Sequence, residues 1–180
     1  GSLLKNADTA MYQAKATGGG AYQFFTPEMN AHIMVRVALE NSLRQAIRNQ
    51  EFELHYQPLV SLSQDRITGM EALVRWRHPS HGIVAPSRFI HFAEEAGIIH
   101  DISRWVLETG CAQLAVWRRQ FPDLRLTANL SSRDFDQSDL SDTISRTLSR
   151  NGLAAGSLEP EMAPGSLMLI ADHLNMVQRT

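Results

Sequence analysis

Four oxygen-bearing side chains, Gln57, Glu71, Asn129 and Glu161, stand at intervals that could bring them together. Each lies near the C-terminal end of a stretch with strand character, and in β/α proteins ligands sit at those ends. Strand alternation puts Glu71, Leu73 and Arg75 on one face and Met70, Ala72 and Val74 on the other. It likewise sets Arg125, Thr127, Asn129 and Ser131 against Leu124, Leu126, Ala128 and Leu130. A carboxylate, an amide oxygen and a second carboxylate at one rim would suit a hard divalent cation, Mg²⁺, Mn²⁺ or Ca²⁺, rather than zinc. Arg75 lies roughly 13 Å beyond Glu71 at ~3.3 Å per extended residue. A guanidinium there could grip a phosphate whose scissile oxygen rests on the metal. Taken singly, each residue has a plainer reading. Glu71 could be a solvated or ion-paired carboxylate, and Asn129 a turn former at a strand end. Glu161 stands beside Pro160, as edge or loop residues do, and Gln57 before Pro58 reads as a strand terminator. Only their joint placement points to chemistry.

The elements that must position them follow from periodicity. From Glu51 the apolar period is two, with Phe52, Leu54 and Tyr56 alternating with Glu53, His55 and Gln57. Further strands are predicted at about 66–75, 124–131 and 158–162. Helices are predicted at 87–96, between Pro86 and Gly97, and at 139–150, closing on Asn151-Gly152. Asp101 is placed to cap another helix, which carries Ile102, Trp105, Val106, Ala112 and Val116. A long helix over 28–49 reads equally as a connector or as a core helix, and 166–180 has weak helical character. Before these come a helical stripe at Leu4, Ala7, Met11 and Ala14, the stop Gly18-Gly19-Gly20, and a short strand at 21–25. Strand alternating with helix is the signature of an α/β fold with mostly parallel strands.

Composition narrows the function classes. Hydrophobic residues make up 43% and charged residues 20%, a globular rather than a disordered balance. The net charge of -2 argues against a nucleic-acid polymer as partner and against a polybasic membrane surface. No apolar run approaches the length of a membrane span, so a cytoplasmic setting is expected. Cys111 is the one cysteine, which excludes an internal disulfide and a multi-cysteine zinc site; on an apolar helix it reads as a buried, inert thiol. Lys5 and Lys15 are the only lysines, so lysine chemistry has almost no candidates. His32, His55, His78, His81, His91, His100 and His173 show no metal-binding spacing, and surface or packing roles are expected for them. Trp76, Trp105 and Trp117 are expected to pack.

Several strings share one resemblance. Glu71-Ala72-Leu73-Val74-Arg75-Trp76 follows Phe52-Glu53-Leu54-His55-Tyr56-Gln57-Pro58, and later come Pro86-Ser87-Arg88-Phe89-Ile90, Ala93-Glu94-Glu95-Ala96-Gly97 and Asn129-Leu130-Ser131. Together they resemble the EAL domain family over about 38–161. Separately, Ala7-Asp8-Thr9-Ala10-Met11-Tyr12-Gln13-Ala14-Lys15 is similar to the last helix of a GGDEF (diguanylate cyclase) domain, although Gly18-Gly19-Gly20 departs from the Gly-Arg-Asn common there. The implied organisation is a GGDEF remnant over 1–27, a connecting helix over 28–50 and the N-terminal portion of an EAL domain over 51–180.

The resemblance implies a (β/α)₈ TIM-type barrel that hydrolyses cyclic di-GMP to the linear dinucleotide pGpG with Mg²⁺ or Mn²⁺. By motif position Glu71, Asn129 and Glu161 would be metal ligands, with Glu71 catalytic. Gln57 and Arg75 would contact the nucleotide, and Leu73 would line its pocket. The sequence also departs from the family. After Glu161 it reads Met162-Ala163-Pro164-Gly165 in place of Ile-Thr-Glu-Ser, so that motif's second glutamate is missing. The family's Asp-Asp-Phe-Gly stretch and its catalytic lysine belong beyond Thr180. A barrel of this type takes about 250 residues, so this stretch should hold about half of one. An inactive truncated product is therefore expected, or a homo-oligomer or partner covering the open barrel edge. The alternative is a non-catalytic module that binds cyclic di-GMP or regulates through contacts.

Overall fold

The computed structural model describes residues 7, 10–11 and 24–162. The chain divides into two units, Gly1–Leu43 and Arg44–Thr180. In the first, residues 24–26 have no regular structure and lead into helix α1 (Pro27–Arg48), which crosses the unit boundary. Pro27 suits a first helical turn, where its missing N–H would have no partner. The predicted helix near the N-terminus, the strand over 21–25 and the helix over 166–180 lie wholly or mostly outside the described residues.

The second unit is built on strands β1 (Phe52–Ser61), β2 (Arg66–His78), β3 (Gly82–Val84), β4 (Arg125–Leu130) and β5 (Leu158–Met162). They form one sheet in the order β1-β2-β4-β5, with β3 paired to the end of β2. Pairing of β2 with β4 and of β4 with β5 is parallel, as alternation of strand and helix predicts. Pairing of β1 with β2 and of β2 with β3 is antiparallel, which corrects the expectation of a mostly parallel sheet. The reason is the short connection from Ser61 to Arg66, which can only reverse the chain.

Pro58 does not end β1. It lies inside the strand opposite Met70, one residue before the register shift at Leu59/Val60. A proline is tolerated there because β1 is an edge strand among the described residues and an outward-facing N–H is not needed. Gln57 is therefore an exposed mid-strand residue and not a strand terminator.

One face of the sheet is covered by helix α3 (Ile99–Trp117), which follows the short α2 (Ile90–Glu95). Ile102, Val106, Gly110, Cys111 and Leu114 are buried along α3 at spacings of three and four. They meet a sheet layer that includes the buried Ala72, Leu126, Ala128 and Leu130. Gly110 permits this close approach, because a Cβ on it would stand 2.7 Å from Leu126 Cδ2. The predicted helix over 87–96 is split. A single 3₁₀ turn, Pro86–Arg88, is separated from α2 by Phe89 at φ -133°. Phe89 is fully buried and packs with Phe52 at 5.8 Å and Trp76 at 5.8 Å between ring centroids, so packing overrides helix continuity. Trp105 and Trp117 pack as expected, against Phe52 and Tyr56.

Helix α2 ends in a Schellman arrangement. Gly97 at φ +68° lets its own N–H reach Glu94 O at 3.2 Å and Ile98 N–H reach Ala93 O at 2.8 Å. Helix α4 (Ser132–Phe135) follows β4 at once, and α5 (Leu140–Arg150) begins after Asp139. Asp101 falls in the first turn of α3, whose N-cap is Ile98, so it does not cap that helix.

Candidate functional site

Strand register decides which predicted residues meet. Glu71 on β2 is opposite Gln57 on β1 and beside Thr127 on β4. Asn129, two residues beyond Thr127, is beside Glu161 on β5. Residues paired across strands project to the same face, so Gln57, Glu71, Asn129 and Glu161 share the face turned away from α3. The contact that ties two strands together is a hydrogen bond from Asn129 Nδ2 to Glu71 Oε1, 2.6 Å long and partly buried. Glu161 is exposed beside it.

A cavity of about 410 Å³ opens at this end of the sheet. Glu71, Leu73, Asn129 and Glu161 contribute to its lining, together with an apolar wall that includes Ile90, Ile99 and Ile102. Gln57 and Arg75 are not among the residues lining the cavity. The Arg75 guanidinium instead donates from Nη1 to Val74 O at 2.9 Å. A larger cavity of about 560 Å³ lies at the opposite strand ends, beside Arg66, Arg118 and Arg125. None of the predicted site residues lines it, and ligands of α/β sheets sit at the C-terminal strand ends.

Among the described residues no three His, Cys, Asp or Glu side chains gather as a metal cluster. Glu71, Asn129 and Glu161, which line one cavity, could offer a cation two carboxylates and an amide oxygen. Hard oxygen donors of this kind fit Mg²⁺ or Mn²⁺, with further positions filled by water. Asn129 currently turns its amide nitrogen to Glu71. A half-turn of the amide would exchange it for Oδ1, since a side-chain amide is donor at one end and acceptor at the other.

Behind the rim lies a polar network that sequence reasoning missed. Asp134 on α4 is 3% exposed, and three donors converge on its carboxylate. Ser131 N–H reaches Oδ2 at 2.9 Å, the Ser103 hydroxyl reaches Oδ2 at 2.6 Å, and His100 Nδ1 reaches Oδ1 at 2.7 Å. The Ser131 hydroxyl donates to Glu94 Oε1 at 2.6 Å, and the Arg133 guanidinium donates to the Glu94 carbonyl. His100, half-buried, thus takes part in this network through Nδ1. A legible signal did exist, because Ser131 and Asp134 stand at capping-box spacing and form that box.

Cys111 is fully buried, and burial pushes its thiol up to about 11, so it is inert as expected. No described helix is long and apolar enough to cross a membrane.

Comparisons with known proteins agree on one family. Residues 40–179 match the EAL domain. The chain is 38% identical over 171 residues to the bifunctional diguanylate cyclase/cyclic di-GMP phosphodiesterase MucR of Pseudomonas aeruginosa, covering 94% of this chain and 25% of that protein. It is 38% identical to the cyclic di-GMP phosphodiesterase NbdA of the same species, covering 94% of this chain and 22% of that protein. The chain thus spans about a quarter of the length of these relatives. A structure of the MucR phosphodiesterase in complex with c-di-GMP superposes with a TM-score of 0.69 at 36% identity, covering 76% of this chain and 56% of the other. The EAL enzyme Bd1971 in its cAMP and cyclic-di-GMP bound form gives 0.72 at 29% identity, covering 92% and 44%. With a mixed α/β sheet that matches EAL structures and a family match over most of its length, this chain belongs to the EAL domain family.

Proposed function

We propose that this region is the nucleotide- and cation-holding part of an EAL-type cyclic di-GMP phosphodiesterase. The observation that carries the reading is the Glu71–Asn129 hydrogen bond of 2.6 Å at the mouth of an apolar-walled cavity, with Glu161 paired beside Asn129. Relatives named as cyclic di-GMP phosphodiesterases and a relative solved with c-di-GMP support the substrate class. In this reading Glu71, Asn129 and Glu161 hold a divalent cation, Mg²⁺ or Mn²⁺. A cation so held lowers the pKa of a water and offsets charge on the phosphoryl oxygens. Leu73 lines the guanine-bearing pocket with the apolar wall. Gln57 and Arg75 reach the nucleotide after Arg75 gives up its contact with Val74 O. Water attacks phosphorus, one P–O ester bond breaks, and its oxygen leaves protonated as the ribose hydroxyl of linear pGpG.

The sheet is the first half of a TIM-type barrel in this proposal. Residues 1–27 are the end of a GGDEF domain, 28–50 a connecting helix and 51–180 the EAL portion; the continuous helix Pro27–Arg48 supports the connector.

A second reading, binding without hydrolysis, is favoured by one sequence observation. Met162-Ala163-Pro164-Gly165 stands where the family carries a second glutamate. Incubating the chain with cyclic di-GMP and Mn²⁺, then separating nucleotides by chromatography, decides between the two. Linear product that disappears in Glu71→Gln supports the phosphodiesterase; bound but uncut nucleotide supports the module.

A further inference from the structure

We infer that Asp134 is a positioning residue for Asn129, acting through the backbone at the end of β4. This rests on the reading of Asn129 as a site residue. Asn129 stands two residues before Ser131, and only the fully buried Leu130 separates them. The Ser131 N–H is held by Asp134 Oδ2, and that carboxylate is fastened to α3 by the Ser103 hydroxyl and by His100 Nδ1. The Ser131 hydroxyl is held from a different element by Glu94 on α2. The strand end is thereby pinned from two helices at once.

The protons are accounted for. An ionised carboxylate only accepts, so His100 must carry its proton on Nδ1. Its Nε2 is then free to accept from Gln137 Nε2, which stands at 3.4 Å. All three donors around Asp134 are satisfied, and Asp134 has no role at the cavity mouth itself. Burying a carboxylate is costly unless it is fully hydrogen-bonded. Three bonds, two from α3 and one from the strand end, meet that cost here and fix the register between α3 and β4. Groups of this kind, behind the residues that touch a ligand, typically change its affinity by about 10–100-fold when removed.

The test reads the Asn129 side-chain amide by NMR in the ¹⁵N-labelled chain. The variants are Asp134→Asn, Asp134→Ala and the milder Ser103→Ala, with Mn²⁺-dependent cyclic di-GMP binding measured on the same samples. The inference predicts that the Asn129 amide proton bound to Glu71 shifts and exchanges faster in both Asp134 variants. A smaller change is expected in Ser103→Ala, which keeps the Ser131–Asp134 bond. Nucleotide affinity should fall by about 10-fold or more in the Asp134 variants. An Asn129 amide unchanged in folded Asp134 variants overturns it. If Asn129→Ala leaves nucleotide affinity untouched, the site reading fails instead, while the amide measurement still decides what Asp134 does.

Discussion

Asn129 and Glu71 answer to each other because a side-chain amide can offer either end to a carboxylate or to a cation. Without cation the amide nitrogen donates to Glu71 Oε1. In the proposed site a bound cation would require Asn129 to offer oxygen instead. Asn129→Asp should therefore lose the hydrogen bond yet keep an oxygen ligand, and Mn²⁺ affinity should fall less than in Asn129→Ala; calorimetry with MnCl₂ checks the order. Glu51 gives a residue-scale prediction about pH. The Trp76 indole N–H, at 3.0 Å, and the Asn49 amide, also at 3.0 Å, hold the Glu51 carboxyl below the usual carboxylate range. A depressed folded value contributes stability above the unfolded value of about 4.3. That contribution is lost as pH falls through the folded value. The urea midpoint should therefore drop between about pH 5 and pH 3, and more gently in Glu51→Gln. Equal slopes in the two proteins would contradict this. Cys111, with its thiol near 11, should resist iodoacetamide at pH 8 until the chain unfolds, as mass spectrometry can show.

Elements translate these residues into position. Gly97 at φ +68° ends α2 just after Glu94, one of the two holders of Ser131. Gly97→Ala forces a side chain into that conformation and should cost about 1 kcal/mol by urea denaturation. Gly110→Ala presses on Leu126 from within the α3–sheet interface and should cost ~1–3 kcal/mol. Much of this scaffold was legible. Strand β5 begins and ends where it was predicted, at 158–162, and α5 follows from Leu140, Ile144 and Leu148. What was not legible has physical causes. Pro58 reads as a stop because sequence does not say which strand is an edge. β3 has three residues, too few to show a period. The split at Phe89 is a packing effect. The bonds of Asp134 to Ser103 and His100 join residues 31 and 34 positions apart, so no local pattern announces them; only the capping box with Ser131 is local.

At the scale of the molecule, the candidate cavity lies where the ends of β2, β4 and β5 meet residues of α3. Alternation read which residues share a face within the strands of Glu71 and Asn129, whereas the register that sets Asn129 beside Glu161 needed the fold. Their shared cavity needed the fold. So did the finding that Gln57 and Arg75 stand outside that cavity. Among the described residues, β5 pairs only with β4, and Leu62 at the β1–β2 turn is 95% exposed. An unpaired strand edge templates association. We therefore expect light scattering to show self-association rising with concentration, whereas a monomer at every concentration would contradict that expectation. The central claim is that β2, β4 and β5 gather Glu71, Asn129 and Glu161 around a cation that helps hold a cyclic dinucleotide. Isothermal titration of the chain with cyclic di-GMP, with and without Mn²⁺, tests it most directly. The account predicts Mn²⁺-dependent binding that Glu71→Gln weakens by more than about 100-fold, beyond the range typical of outer partners. Binding that is absent, or that ignores both the cation and Glu71, would contradict it.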